Sequence, residues 1–336
     1  MVAWVRCRIV SSLSLFGKLK SSAPRHSFSK LLPAVVIFVF AAVFVPVAGP
    51  LFLFFLPMIL FVSGMLNGTF RTSLYFFFSF TALLLLSVLL HQDAPAVAVF
   101  TIGMTGIFMA LLTDRNYSIE KTIIFPALLM IGAVCVYFGY DAVALGAHPW
   151  QLVKNFIAVT ISETVKFYSQ MPLKAEDIRV IKDNEQNIVA GFIGIFPALV
   201  VISSVVVVWA NLLFGRHYLF RSGQFQNGFR SLARWKVPDM AIWIFIISGA
   251  LMFLPQKDIN FLSLNIFFIA CFVYLLQGFA IVSFLFQVKN VPFFFRYLYY
   301  FLIAVQQILM IPIALIGLFD IWFDFRKLIQ KKQATD

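Results

Sequence analysis

Carboxylates are scarce in this chain: Asp and Glu number 14 among 336 residues, and none precedes Asp93. With Lys and Arg included, only 12% of residues are charged, against about 25% in a soluble domain. So little charge cannot clothe a water-soluble globule of this length. Histidine is also rare. His26, His91, His148 and His217 are scattered, with no HExxH and no Cys/His cluster, so no metal site is expected. Cys7, Cys135 and Cys271 have no paired spacing. Glycine-rich phosphate loops are missing, which argues against ATP hydrolysis by this chain. No Ser/His/Asp order or carboxylate pair in a pocket emerges either, so no catalytic residue, metal ligand or cofactor site is assigned.

What the chain has instead is oil-loving surface. It is 62% hydrophobic, with 42 phenylalanines and a mean hydropathy of +0.94. A core this length cannot bury that much apolar area, so lipid must serve as solvent. The net charge of +12 does not suggest a nucleic-acid binder, because the basic residues gather at the ends of apolar segments. Arg6, Arg8, Lys18, Lys20, Arg25 and Lys30 precede the first block. This is the positive-inside signal of a cytoplasmic amino terminus. The same acid-free, serine-rich leader also has the composition of a transit peptide.

Apolar segments of spanning length occur near 31–48, 50–66, 73–91, 95–113, 122–145, 189–214, 239–255, 261–287 and 297–322. The first two form one block that, as a single helix, would be about 54 Å long. A bilayer core is roughly 30 Å thick. Pro46, Gly49, Pro50 and Pro57 therefore predict two spans or a re-entrant hairpin, and Lys and Arg counted over the loops do not choose between them. The expected fold is all-α: a polytopic transmembrane helical bundle of eight or nine spans with one interfacial amphipathic helix. That helix lies in 146–188, where Val153, Phe156, Ile157, Ile161, Val165 and Tyr168 share a face. The expected layout is a basic segment 1–30, a bundle 31–145, the amphipathic connection 146–188, a second bundle 189–323 and a polar tail 324–336.

Polar groups inside apolar segments are costly and mark candidate sites. Asn265, Gln277, Gln306 and Gln307 are the candidate ligand-binding residues, the alternative being amide bonds between helices. Asn211 closes another apolar run. Pro197 and Pro312 fall inside spans, and each frees a backbone carbonyl. Gly64-x-x-x-Gly68 and Gly106-x-x-x-Ala110 would let helices pack closely within the chain. The basic turn "RHYLFRSGQFQNGFRSLARWKVPD" offers Arg216, Arg221, Arg230 and Arg234 to anionic headgroups or to a partner protein.

The stretch "GLFDIWFDFRKL", 317–328, is the oddest. It sets Asp320 and Asp324 at a helix carboxyl end, where the dipole disfavours negative charge. Asp324 can reach Lys327, with Trp322 and the phenylalanines anchoring the span at headgroup level. Asp320 lies a turn deeper and needs a basic partner. If the three segments between the 215–238 turn and the tail all cross, that partner is Lys257, Lys154, Lys166, Lys174 or Arg179.

The runs "IFPALVVISSVVVVWANLLFGRHYLFR", "KVPDMAIWIFIISGALMFL", "LNIFFIACFVYLLQGFAIVSFLF" and "FRYLYYFLIAVQQILMIPIALIGLFDIWFDFRKL" resemble, in that order, the YybS-like family. These are bacterial multi-pass membrane proteins of unknown function. The resemblance spans 190–328 well and 31–145 only as a series of apolar spans. It implies location in the cytoplasmic (inner) membrane and assigns no activity. The expectation is an integral membrane protein that binds or transports a small or lipid-like solute, with an energising partner supplied separately. The alternative is a scaffold recruiting a membrane or cytoplasmic protein through the basic turn.

Overall fold

A computed structural model describes residues 31–45, 48–91, 95–171, 175–223 and 230–329. The basic leader 1–30, Lys174 and the end of the tail lie outside these residues. Among the described residues all regular structure is helical. The chain divides after Thr122 into two compact units.

The first unit holds α1 (Leu31–Phe44), α2 (Gly49–Asn67), α3 (Thr69–Leu89) and α4 (Ala96–Asp114). Val35 and Val39 of α1, Leu56 and Leu60 of α2, Phe76 and Leu83 of α3, and Val99 and Ile107 of α4 form its core. Gly68, at φ 91°, lets α2 end and α3 begin with no intervening loop. The two small-residue spacings act within the chain. Gly64 faces the Ala110 methyl, and Gly106 faces the backbone of Pro57. The polar groups of this core are hydroxyls satisfied nearby: Ser63 with Thr72 at 3.1 Å, and Thr105 donating to the Thr101 carbonyl at 2.7 Å.

The second unit begins within α5 (Ile119–Leu145) and continues through α6 (Pro149–Ser169), α7 (Ala175–Asp183), α8 (Glu185–Arg221) and the short α9 (Arg230–Ala233). It ends with α10 (Ala241–Leu251), α11 (Lys257–Val288), α12 (Phe293–Val305) and α13 (Met310–Phe323). Only 17% of the apolar window of α5, and the same share of α8, is buried by protein. Val143 is 85% exposed and Val136 71%. Outward apolar surface on this scale is what a lipid solvent tolerates and water does not.

Six described helices are long and apolar enough to cross a membrane, or seven if α12 and α13 count as one broken span. The 31–48 and 239–255 segments form helices of only 14 and 11 residues. At 1.5 Å per residue these measure about 21 and about 17 Å, short of the roughly 30 Å core. The last apolar segment is bent by 110° at Gln306–Leu309. Pro312 therefore sits in the first turn of α13, where its missing N–H goes unneeded.

Helices α11 and α13 cross at two glycines. A Cβ on Gly278 would run into the Ile313 carbonyl, and one on Gly317 into the Tyr274 carbonyl. Backbone cannot retreat as a flexible side chain can. Gly317→Ala and Gly278→Ala should each destabilise the protein by about 1–3 kcal/mol. Gly132→Ala, where a Cβ meets nothing within 4 Å, should be neutral or stabilise by up to about 1 kcal/mol. Thermal unfolding in detergent would show this contrast, and equal midpoints for the three variants would contradict the crossing.

Candidate functional site

The close crossing of α11 and α13 carries a buried polar network with it. Asp320 is 0% exposed, yet it ends a helix whose dipole repels it. Two hydrogen bonds and one ion pair answer its carboxylate. Gln277 Nε2 donates to Oδ2 at 3.0 Å, and the Phe325 backbone N–H donates to Oδ1 at 2.9 Å. The Arg326 guanidinium lies 3.6 Å from Oδ2. Gln277 then uses its own carbonyl to accept the Val237 N–H at 3.1 Å, while Arg326 Nη2 donates to the Trp235 carbonyl at 2.6 Å. Gln277, Asp320, Arg326 and the 235–237 turn form one network.

Asp324 makes this geometry reachable. In an unbroken helix, position 326 would point away from position 320. Asp324 instead takes the left-handed conformation, φ 42° and ψ 63°, with its N–H donating to the Asp320 carbonyl at 3.0 Å. An L-residue rarely sits there, but Asp tolerates it. The reversal folds Phe325 and Arg326 back over Asp320. Lys327 Nζ pairs with the Asp324 carboxylate at 2.6 Å, as the spacing suggests. The Lys327 hydrogen bond holds the Asp324 carboxyl below its usual range, and Asp324 in turn raises the Lys327 ammonium. Burial pushes the Arg326 guanidinium down while Asp320 pushes it up. Arginine stays protonated in either case.

The partner of Asp320 is thus Arg326, and not Lys257, Lys154, Lys166 or Arg179. Arg179 pairs with Asp183 at 3.7 Å. The expectation failed because it assumed three full crossings between the 215–238 turn and the tail. With α10 too short to cross, two crossings, α11 and the bent α12–α13 pair taken as one span, separate Trp235 from Arg326, and the two meet.

Asn265 does a different task. Its Oδ1 accepts the Ala198 N–H at 2.8 Å, and its Nδ2 donates to the Gly194 carbonyl at 2.8 Å. Those two backbone groups stand four apart in α8, beside Pro197. The amide has spliced itself into the helix ladder where the proline disturbs it. Gln306 and Gln307 are exposed at the bend. Asn265 and Gln277, about 18 Å apart along one helix, are both spent on partners within the protein, Asn265 on backbone and Gln277 on Val237 N–H and the Asp320 carboxylate, so the four amides do not converge on one cavity. Arg216 is half-buried, while Arg221 and Arg234 are exposed; the side chain of Arg230 lies outside the described ones.

Beside the network lies a cleft of 440 Å³ bounded by Ile202 of α8, Phe245 of α10, Phe267, Cys271 and Tyr274 of α11, and Leu318 of α13. Its wall is almost wholly apolar. Tyr274, one of the lining residues, carries a hydroxyl that is buried and has no hydrogen-bond partner among the described residues.

These features define an integral helical membrane protein whose second unit is closed by an internal ion pair. Over residues 34–321 the chain matches the family described as "Predicted membrane protein (DUF2232)", a family of unknown function, and it belongs to that family. No curated protein and no solved structure matches it.

Removing one member of a buried pair strands the other. Asp320→Asn and Arg326→Gln should each cost about 3–5 kcal/mol. The double variant should cost clearly less than their sum, read by unfolding in detergent, and strict additivity would contradict the pairing. For the splice, Asn265→Leu should cost about 1–3 kcal/mol by orphaning Ala198 N–H and Gly194 C=O. In a Pro197→Ala background those groups can bond to each other, so most of that cost should vanish. A cost unchanged by Pro197→Ala would refute the splice.

Proposed function

We propose that this protein is a non-catalytic component of a bacterial cytoplasmic membrane that binds or moves a lipid-like solute, with the apolar part of the solute lying in the cleft between α8, α10, α11 and α13. The observation that carries this reading is the cleft: 440 Å³ of apolar wall beside one buried, unpartnered hydroxyl. Ligand sites are commonly about 300–1,000 Å³, mostly apolar, with few polar groups to fix orientation. An unsatisfied buried hydroxyl costs about 1–3 kcal/mol, which a ligand oxygen would recover by displacing the side chains that cover the Tyr274 hydroxyl. The cleft touches α8 and α11, both long and apolar enough to lie in lipid, so an amphiphile can enter sideways from the bilayer.

The resemblance to bacterial multi-pass proteins supports the location. It also supports counting the short 31–48 segment with the seven longer spans, giving eight. Any energy for transport would come from a separate protein, since the chain carries no phosphate-loop pattern. A scaffold role has one observation behind it: the basic turn is pinned at Trp235 and Val237, which presents the exposed Arg234 and Lys236 on a fixed backbone.

The test fills the cleft. Ala314→Phe, on the cleft wall, should remove a lipid or isoprenoid species that co-purifies with the wild type in mild detergent and is identified by mass spectrometry. Tyr274→Phe should weaken its retention. Identical bound species in all three proteins, or none in the wild type, would overturn this assignment.

A further inference from the structure

A second cavity, apart from the cleft, lies where the last turn of α6, the end of α7 and the first turn of α8 meet. It measures 490 Å³ and is lined by Ser162, Lys166, Ser169, Gln170, Lys182 and Glu185. It is an open groove rather than an enclosed space, and two exposed lysines and the half-buried Glu185 line it. Among the described residues none of the three takes part in an ion pair, so the lysines do not neutralise Glu185 within 4.0 Å. Three residues of mixed charge are left lining one groove. The Ser169 hydroxyl already donates to the Val165 carbonyl. The donors on offer are therefore the two lysines, Ser162 and the Gln170 amide; Glu185 is the charged acceptor.

Depth is set by the helices. α6 buries Val153, Ile157 and Val165 against the unit and turns Phe156, Phe167 and Tyr168 outward, 53%, 59% and 42% exposed. Aromatic side chains beside lysines on an amphipathic helix are the pattern of a membrane interface. In α8 the apolar run begins at Ile188, about 4.5 Å along the axis from Glu185. The cavity therefore opens where hydrocarbon gives way to headgroups.

We infer that this cavity is a phospholipid headgroup site, with Lys166 and Lys182 holding the phosphodiester and Glu185 holding an amine, so that it selects a phosphoethanolamine headgroup. Basic pockets beside membrane helices take lipid phosphate. A bare anion would leave Glu185 unanswered and meet its repulsion, whereas an ammonium next to the phosphate satisfies all three charges. The same chemistry exists in free phosphate, and the experiment separates the two.

The full chain is placed in phosphatidylcholine nanodiscs doped with phosphatidylethanolamine or with phosphatidylglycerol, and retained lipid is counted by native mass spectrometry after release. Wild type should retain phosphatidylethanolamine over phosphatidylglycerol. Lys166→Gln with Lys182→Gln should lower that retention about tenfold, which corresponds to about 1.4 kcal/mol. The Arg replacements, which keep the charge, should retain it. Glu185→Gln should abolish the preference while leaving phosphatidylglycerol bound. This last variant decides the matter if the double Gln variant does not fold. Equal retention of both lipids by wild type, or retention unaffected by Glu185→Gln, overturns the assignment. So does inorganic phosphate displacing the lipid as readily as a phosphoethanolamine lipid does. Because Ala314→Phe touches only the cleft, a failure there leaves this site standing, and the converse holds too.

Discussion

A carboxylate withdrawn from water must find its donors inside the chain, and Asp320 is where this protein meets that demand. The requirement is severe because little else near the α11–α13 crossing is polar. Two donors and one cation come from three places: a side chain on α11, a backbone N–H beyond the end of α13, and a guanidinium that also reaches the 235–237 turn. Each fixes a segment that would otherwise have no directional contact in an apolar setting. Dispersion between α11 and α13 could be satisfied by sliding; hydrogen bonds to one carboxylate cannot. A buried pair of this kind adds little net stability against apolar replacements. Its effect here is to specify which turn meets which tail.

The same solvent logic runs through the rest of the molecule. Where lipid surrounds a helix, each backbone group must bond within the protein. The Asn265 amide supplies the pair of bonds that the Pro197 region lacks. Buried serines and threonines return their hydroxyls to carbonyls a turn earlier, as Ser79 and Ser204 do. Glycines are spent where helices touch backbone to backbone, at Gly106, Gly278 and Gly317. Membership of a membrane-protein family agrees with each of these choices.

Much of this was written in the sequence, and the rest was hidden for identifiable reasons. Composition gives the helical membrane class. Val153, Ile157 and Val165 are buried as their spacing predicts, while Phe156 and Tyr168 of the same face turn outward, because a lipid interface rewards exposed aromatics as readily as buried ones. The small-residue spacings and the Asp324–Lys327 pair were legible because they are local. Arg326 was not. Its role depends on a left-handed residue at Asp324, and nothing in "FDFRKL" announces a positive φ at a non-glycine position. Asn265 and Gln277 were visible as costly polar residues, but their long-range partners lie 67 positions away for Asn265 and 40 and 43 away for Gln277, beyond the reach of any periodicity. The 110° bend at Gln306–Leu309 was equally hidden, since an apolar run does not state where its helix breaks.

The central claim is that the polar network at Asp320 brings the 235–237 turn and the 324–328 segment together, which puts both on the same face of the membrane. Cysteine accessibility measures this directly. With the native cysteines replaced by serine, Lys236→Cys and Lys327→Cys variants in sealed, oriented vesicles would be exposed to a membrane-impermeant thiol reagent. The account predicts that both positions are labelled from one and the same side. Labelling from opposite sides would contradict it.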